Sequence, residues 1–321
     1  MHVAFCTHLS LAYYGGGEKW IIQTAKELAH RGHSVEIYAL PFLLEGKRKI
    51  NPKELLEDIP YTEGRRHKVK ADIVYTFYNP LSWMFFQTSK PRIGGIHAQS
   101  YWQKPDLRYG LLPNVSLIMN RGLSYFELRH FNAVHMVTTA YPCNHPKVYS
   151  IPDFVDSEKY HPTKNKDPTF TVAYISRRVW QKGWDIFQAA TKRFKVKVAG
   201  GQIKEEDMPD FISSAHVSMI PARVDTFGLA IVESAMCGTA VVTTPLKAHE
   251  VLELPMYFAE NVSEFRTMLS LLQRMWEEEP ERYAELVRFG QRQALKYDKK
   301  PVMDKIEKMF KEVVEGCTYG K

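Results

Sequence analysis

Two carboxylates eight residues apart, Asp225 and Glu233, stand in the run Pro221-Ala222-Arg223-Val224-Asp225-Thr226-Phe227-Gly228-Leu229-Ala230-Ile231-Val232-Glu233. With one in a loop and the other on the helix that follows, they frame a helix N-terminus. There the amides of Thr226, Phe227, Gly228 and Leu229 would point outward, where developing negative charge is best stabilised. Upstream, Ser176-Arg177-Arg178-Val179-Trp180-Gln181-Lys182-Gly183 lies between a strand and a helix. Arg177, with a planar fork, and Lys182, with a point charge, can converge on one diphosphate. Near the start, Tyr13-Tyr14-Gly15-Gly16-Gly17-Glu18-Lys19 follows a strand and opens a helix, so the backbone at Gly16 and Gly17 can approach an anion closely. Each group also has a plainer reading. Asp225 can cap the helix with Glu233 on its surface, the two cations can be solvated, and the glycines can serve a tight turn. The glycine loop is neither GxGxxG nor GxxxxGK[ST], which excludes the dinucleotide and P-loop readings.

These residues need a scaffold, and the hydrophobic pattern predicts one. Strand runs at His2 to Cys6 and Ser34 to Leu40 flank a helix-period stretch from Glu18 to Ala29, which makes a βαβ unit. Ile73 to Phe77, Arg92 to His97, Ala133 to Thr139 and Val148 to Ile151 add strands to it. A polar, Pro-containing stretch through Asn165-Lys166-Asp167-Pro168 places a domain boundary near residue 151. Alternation then resumes: strands at Thr169 to Ile175, Lys195 to Ala199, Ala215 to Ile220 and Ala240 to Thr243, with helices from about Gly183 to Lys192, Glu206 to Ser214 and Leu229 to Met236. From Val262 the pattern is helical, ending in an amphipathic helix around Pro301 to Val314. The reading is α/β throughout, with parallel sheets covered by helices.

Composition narrows the class. The 321 residues are 45% hydrophobic and 25% charged, as in globular proteins, and the length suits two domains at roughly 100–200 residues each. The longest stretches without charge, Ile73 to Ser89 and His130 to Pro146, contain Pro and are too short to span a bilayer. Cys6, Cys143, Cys237 and Cys317 form neither a disulfide framework nor a zinc spacing. A cytoplasmic location is the expectation. The net charge of +7 lies wholly in residues 1–150, with 18 Lys and Arg against 11 Asp and Glu; residues 151–321 balance at 25 each. Lys47-Arg48-Lys49 and the group Arg65, Arg66, Lys68 and Lys70 are the dense clusters, and Trp83-Met84-Phe85-Phe86 is an apolar cluster near them. Such a surface attracts an anionic substrate or membrane, or is simply solvated. The charge is diffuse and no nucleic-acid module is visible, so nucleic acid is not expected as a partner.

The segment around Asp225 and Glu233 resembles the Glu-x7-Glu region of retaining, nucleotide-sugar-dependent glycosyltransferases of the GT-B fold, family 4 in particular. Other motifs follow in the same order: Gly15-Gly16-Gly17, Val148-Tyr149-Ser150-Ile151-Pro152-Asp153-Phe154-Val155-Asp156, Arg177 with Lys182-Gly183, and Gly200-Gly201. The resemblance spans essentially the whole chain. It implies two Rossmann-like domains with parallel sheets facing a central cleft: residues 1–150 binding the acceptor, and 151–321 binding the donor. The last helix is a candidate to pack back on the first domain.

The resemblance also implies roles. Glu233 should bind the ribose hydroxyls of the donor, Arg177 and Lys182 the diphosphate, and Asp225 with the following amides the donor sugar. His97, in Gly95-Ile96-His97-Ala98, should face that sugar, or else be a core histidine. No metal or other cofactor is expected, because the sequence has no Asp-x-Asp and fixed cations would take the metal's place. The implied reaction is retaining transfer from a nucleoside diphosphate sugar to a hydroxyl, at an acceptor of unknown type, with peripheral contact at an anionic membrane as a further expectation. Departures from the family pattern are Asp225 for the usual first Glu, Asp153-Phe154 for Asn-Gly, and a short segment between Gly201 and Asp225. They keep alive a binding protein that has lost catalysis; an epimerase or phosphorylase of the same fold is the other rival.

Overall fold

The computed structural model describes residues 1–8, 10–13, 15–41, 51–97, 105–106, 108, 111–200 and 203–318. Tyr14, Lys47, Arg48, Lys49, Ala98 and Gly201, named above, lie outside the described residues. The chain divides into two units, Met1–Ile151 with Met303–Lys321, and Pro152–Val302.

The first unit holds strands β1 (His2–Thr7), β2 (Ser34–Ala39), β3 (Tyr61–Glu63), β4 (His67–Lys68), β5 (Ile73–Phe77), β6 (Phe86–Gln87), β7 (Arg92–Ile96), β8 (Ala133–Met136) and β9 (Val148–Ser150). Its helices are α1 (Gly16–His30), α2 (Pro52–Leu56) and α3 (Leu111–Glu127). Seven strands form one sheet in the order β3-β2-β1-β5-β7-β8-β9, and β4 pairs with β6 separately. Every pairing in the large sheet is parallel. Val3, Ala4, Phe5 and Cys6 of β1 are fully buried, which explains why this strand reads as a continuous apolar run: a parallel strand is covered on both faces. The order reverses between β1 and β5, and in such sheets ligands bind beyond the carboxyl ends of the strands at that switch point.

The second unit holds β10 (Thr171–Tyr174), β11 (Lys195–Val198), β12 (Val217–Ile220), β13 (Ala240–Thr243) and β14 (Tyr257–Phe258), with α4 (Trp184–Ala190), α5 (Met208–Ser213), α6 (Leu229–Met236), α7 (Lys247–Glu250), α8 (Val262–Glu278) and α9 (Pro280–Ala294). The sheet order is β11-β10-β12-β13-β14, again all parallel. Its core joins Val172 and Tyr174 of β10 to Phe187 of α4 and to Phe265, Leu269 and Leu272 of α8. The switch point lies between β10 and β12, so the loops that leave these two strands are the ones placed for a ligand.

Helix α10 (Lys299–Thr318) starts in the second unit and belongs to the first from Met303 onward. Met303, Ile306, Met309, Phe310 and Val313 are buried along one helical stripe, and the Phe310 ring meets Phe5 and Tyr75 at centroid distances of 6.3 and 5.9 Å. Arg31 fixes the other side, reaching Asp304 at 2.6 Å and Glu307 at 3.2 Å, while the Tyr149 hydroxyl donates to Glu312 at 2.8 Å.

Candidate functional site

In the second unit, two loops at the switch point are bonded into one surface. The Tyr174 hydroxyl, at the end of β10, lies 2.8 Å from the carbonyl of Arg177 and 3.1 Å from that of Lys182, pinning both ends of the basic loop. The loop then meets the segment after β12. Arg223 N and Val224 N donate to the Gln181 carbonyl at 2.9 and 3.3 Å. The Arg223 guanidinium grips both oxygens of Asp185 at 2.7 Å, donates to the Trp180 carbonyl at 2.7 Å and lies over the Trp180 ring. Gly183 closes the junction with φ +69°. A Cβ there would sit 1.8 Å from the Pro221 carbonyl oxygen, so only glycine fits.

This join brings Lys182 and Asp225 together. Lys182 Nζ is 3.2 Å from Asp225 Oδ2 and donates to the Val224 carbonyl at 3.2 Å. An ammonium has three N–H groups, so one remains for an incoming anion. Asp225 does not cap α6; Gly228, at φ +101°, occupies the N-cap position. Asp225 Oδ1 instead accepts from Thr226 N at 2.9 Å. Burial works to raise its pKa, yet the Lys182 ammonium and the His249 ring beside it hold the carboxyl well below the usual carboxylate range.

His249, fully buried on α7, is a residue that sequence reasoning missed. Its Nδ1 lies 3.0 Å from Thr243 Oγ1 and 3.1 Å from the Thr244 carbonyl, and its Nε2 is 3.5 Å from Asp225 Oδ2. Arg223 was also missed. Its partner Asp185 is 38 residues away in sequence, and a lone Arg in a loop carries no signal of that.

The other expected residues of this unit lie on the same two segments, the basic loop and the stretch that runs into α6. Arg177 is exposed on the same loop. Phe227 packs its ring into the core against Tyr297, leaving only its amide for the outward face, beside the amides of Gly228 and Leu229. Among the described residues no bond satisfies those three N–H groups, as befits the first turn of a helix. Glu233 is half-buried in the middle of α6 near Tyr160; burial first, and then the Glu233 charge, push the Tyr160 phenol upward.

In the first unit, Gly17 and His97 meet the same side chain. A Cβ on Gly17 would lie 2.5 Å from Phe77 Cζ, and the Phe77 ring stacks on His97 at 4.4 Å. Gly15 N donates to Glu18 Oε2 at 2.8 Å, which caps α1, and Gly16 is exposed with open space around it. His97 follows β7, and its Nε2 lies 2.8 Å from the Tyr75 hydroxyl. His8, which follows β1, faces Phe77 from another side at 6.3 Å and was missed in the sequence. Burial lowers its ionisation to about 4. Gly17, His8, Phe77 and His97 thus gather at the carboxyl ends of β1, β5 and β7, next to the switch point.

Residues 170–274 match the family described as glycosyl transferases group 1. The match covers about a third of the chain, all of it within the second unit. The matched segment contains Arg177, Lys182, Asp225 and Glu233. A search among curated proteins finds no match in sequence. Among solved structures, the chain is similar to sucrose-phosphate synthase from Thermosynechococcus elongatus at 13% identity and TM-score 0.74, covering 98% of this chain and all of that one. It is similar to HepE of Anabaena, solved in complex with UDP-glucose, at 15% identity and TM-score 0.70, covering 97% and 100%. A glycosyltransferase from Rickettsia africae gives 13% identity and TM-score 0.74, with 98% of each chain covered. At these identities the likeness is one of fold, and the two α/β units with parallel sheets are of the expected GT-B class.

Proposed function

We propose that this chain transfers a glycosyl group from a nucleoside diphosphate sugar to an acceptor hydroxyl with retention of configuration, using no metal. The observation that carries this reading is the Lys182–Asp225 pair at the N-terminus of α6, built from two loops at the switch point inside the group 1 segment. Arg177, the third N–H of Lys182 and the outward amides of α6 supply positive charge for a diphosphate. Departure of the nucleoside diphosphate is then eased by charge that is already in place. Asp225, ionised and oriented by Thr226 N, offers its remaining lone pairs to sugar hydroxyls. Glu233 accepts from the ribose. Among the described residues no side chain is assigned as a nucleophile, so retention is proposed to follow from attack on the face that the leaving phosphate vacates, catalysis resting on positioning. HepE, similar in fold, was solved with UDP-glucose, which makes a uridine donor the first to test. Turnover of UDP-glucose and other donors with excess EDTA is expected to persist. Activity lost with EDTA and restored by magnesium or manganese would refute the metal-free site.

The acceptor is proposed to lie at an anionic membrane surface. On α3, Leu111, Val115, Ile118, Met119, Tyr125 and Phe126 are exposed along one helical face, and Leu81, Met84 and Phe85 are exposed near its end. The acid of that helix, Glu127, is buried and bonded to the Tyr78 hydroxyl and Leu81 N, whereas Arg121 and Arg129 are exposed. Exposed apolar side chains with cations and no exposed acid match the interface of an anionic bilayer.

A further inference from the structure

The basic loop is fastened on both sides of Lys182, and one side chain from another segment does the fastening. Arg223 follows β12 and stands two residues before Asp225. Its Nη1 donates to the Trp180 carbonyl and to Asp185 Oδ1, and its Nη2 to Asp185 Oδ2, each at 2.7 Å. Trp180 precedes Lys182 by two residues, and Asp185, in the first turn of α4, follows it by three. Between these anchors the Gln181 carbonyl accepts from Arg223 N and Val224 N. The Lys182 ammonium then reaches back to the Val224 carbonyl and Asp225 Oδ2, in the stretch that Arg223 heads.

The join is specific to arginine. A guanidinium is a planar fork that meets both oxygens of a carboxylate and can lie flat on an aromatic ring at the same time, whereas an ammonium is a point charge. Here the fork takes Asp185 while the guanidinium carbon lies 4.5 Å from the centroid of the Trp180 ring. The hydrogen bond from Arg223 holds the Asp185 carboxyl below its ordinary range, so both partners are charged at neutral pH. Asp185 is exposed, and an ion pair in that position adds little to the stability of a fold. What the pair fixes is local: the path of the loop through Lys182.

We infer that Arg223 is a positioning residue, which through the fork to Asp185 and the bond to the Trp180 carbonyl sets the Lys182 ammonium against Asp225 and holds its remaining N–H in one direction. The phosphate which that N–H would meet rests on the function proposed above; the clamp on the loop does not.

The test joins hydrogen exchange to kinetics, on the full chain. Arg223→Lys keeps the charge and loses the fork; Asp185→Asn leaves Arg223 in place and removes the charge that its fork meets. Without any substrate, the amides at positions 223 and 224 should exchange on the order of tenfold faster in both variants, the effect of about one net hydrogen bond, with thermal unfolding almost unmoved. Unchanged exchange at both positions overturns the clamp. With UDP-glucose, both variants should lose kcat by a similar factor, on the order of ten- to a hundredfold, with little change in KM. In a Lys182→Ala background neither substitution should lower kcat further, because the group they position is gone; equal losses in the two backgrounds overturn a role through Lys182. A raised KM in Arg223→Lys alone, with Asp185→Asn at the parent's level, shows that Arg223 meets the donor itself and overturns the inference as well. If the parent turns over no nucleoside diphosphate sugar, the proposed function falls, and the exchange result by itself supports or overturns the clamp.

Discussion

At the scale of single residues, the two sides of the candidate site should separate by kinetics. Lys182 touches Asp225 and keeps one N–H for phosphate, so Lys182→Ala should lower kcat more than it weakens donor binding. Glu233→Gln replaces a carboxylate by a neutral amide. If it binds the ribose, nucleotide affinity should drop on the order of ten- to a hundredfold, from bonds of roughly 1.5–3 kcal/mol. Calorimetry with UDP, run beside steady-state kinetics on both variants, measures the two effects; unaltered affinity in Glu233→Gln would sink the ribose role. The sequence singled out Lys182 and Asp225 separately, one for a diphosphate and the other for a sugar, but not as partners 3.2 Å apart. His249 was not legible at all, because its link to Asp225 joins helix α7 to a loop elsewhere in the chain and a lone buried histidine has no pattern.

At the scale of elements, the loops stand or fall with Gly183. Gly183→Ala combines a left-handed backbone with a Cβ 1.8 Å from the Pro221 carbonyl, and should cost about 2–5 kcal/mol in thermal unfolding, with loss of activity beyond the loss of fold. Helix α10 gives a prediction in pH. A hydrogen bond from Lys311, with others from Arg31 and His33, pushes Glu307 down to about 2 from an ordinary 4.5, against the effect of burial. A depressed carboxyl stabilises the fold above its unfolded value, and that stabilisation is lost as the pH falls from about 4.5 through about 2. Thermal melts of Glu307→Gln should therefore lie below those of the parent at pH 7 and converge with them toward pH 2. A constant offset across the range would show that the charge is irrelevant. The strands that the sequence disclosed best were the fully buried runs, β1, β5, β10 and β13. Tyr61–Glu63 went unread because three residues with little apolar content carry no period, and the paired dipeptides β4 and β6 were too short to register. Trp83 to Phe86, read as one cluster, is divided in the fold: Phe86 is buried, while Met84 and Phe85 are exposed.

At the scale of the whole molecule, the basic excess of residues 1–150 and the exposed apolar face of α3 bear on one measurement. Sedimentation with anionic liposomes at low salt should carry the protein down, neutral liposomes should not, and high salt should weaken the effect, since each Lys or Arg contributes on the order of 1 kcal/mol near such a surface. Ile118→Asp should reduce binding with little cost in stability, because that side chain is exposed. Equal, negligible sedimentation with both vesicles would remove the membrane from the proposal and leave a soluble acceptor. The path of the chain through its two units has a separate consequence. Unit 1 takes its final helix from residues after Met303, and Phe310 of that helix closes against Phe5 and Tyr75. On a ribosome, unit 2 is complete in sequence once Val302 has emerged, whereas the first half waits with that aromatic face uncovered. The part of the protein made first is thus the part that finishes folding last, and a chaperone that meets the nascent chain would find its exposed apolar surface at the N-terminal end.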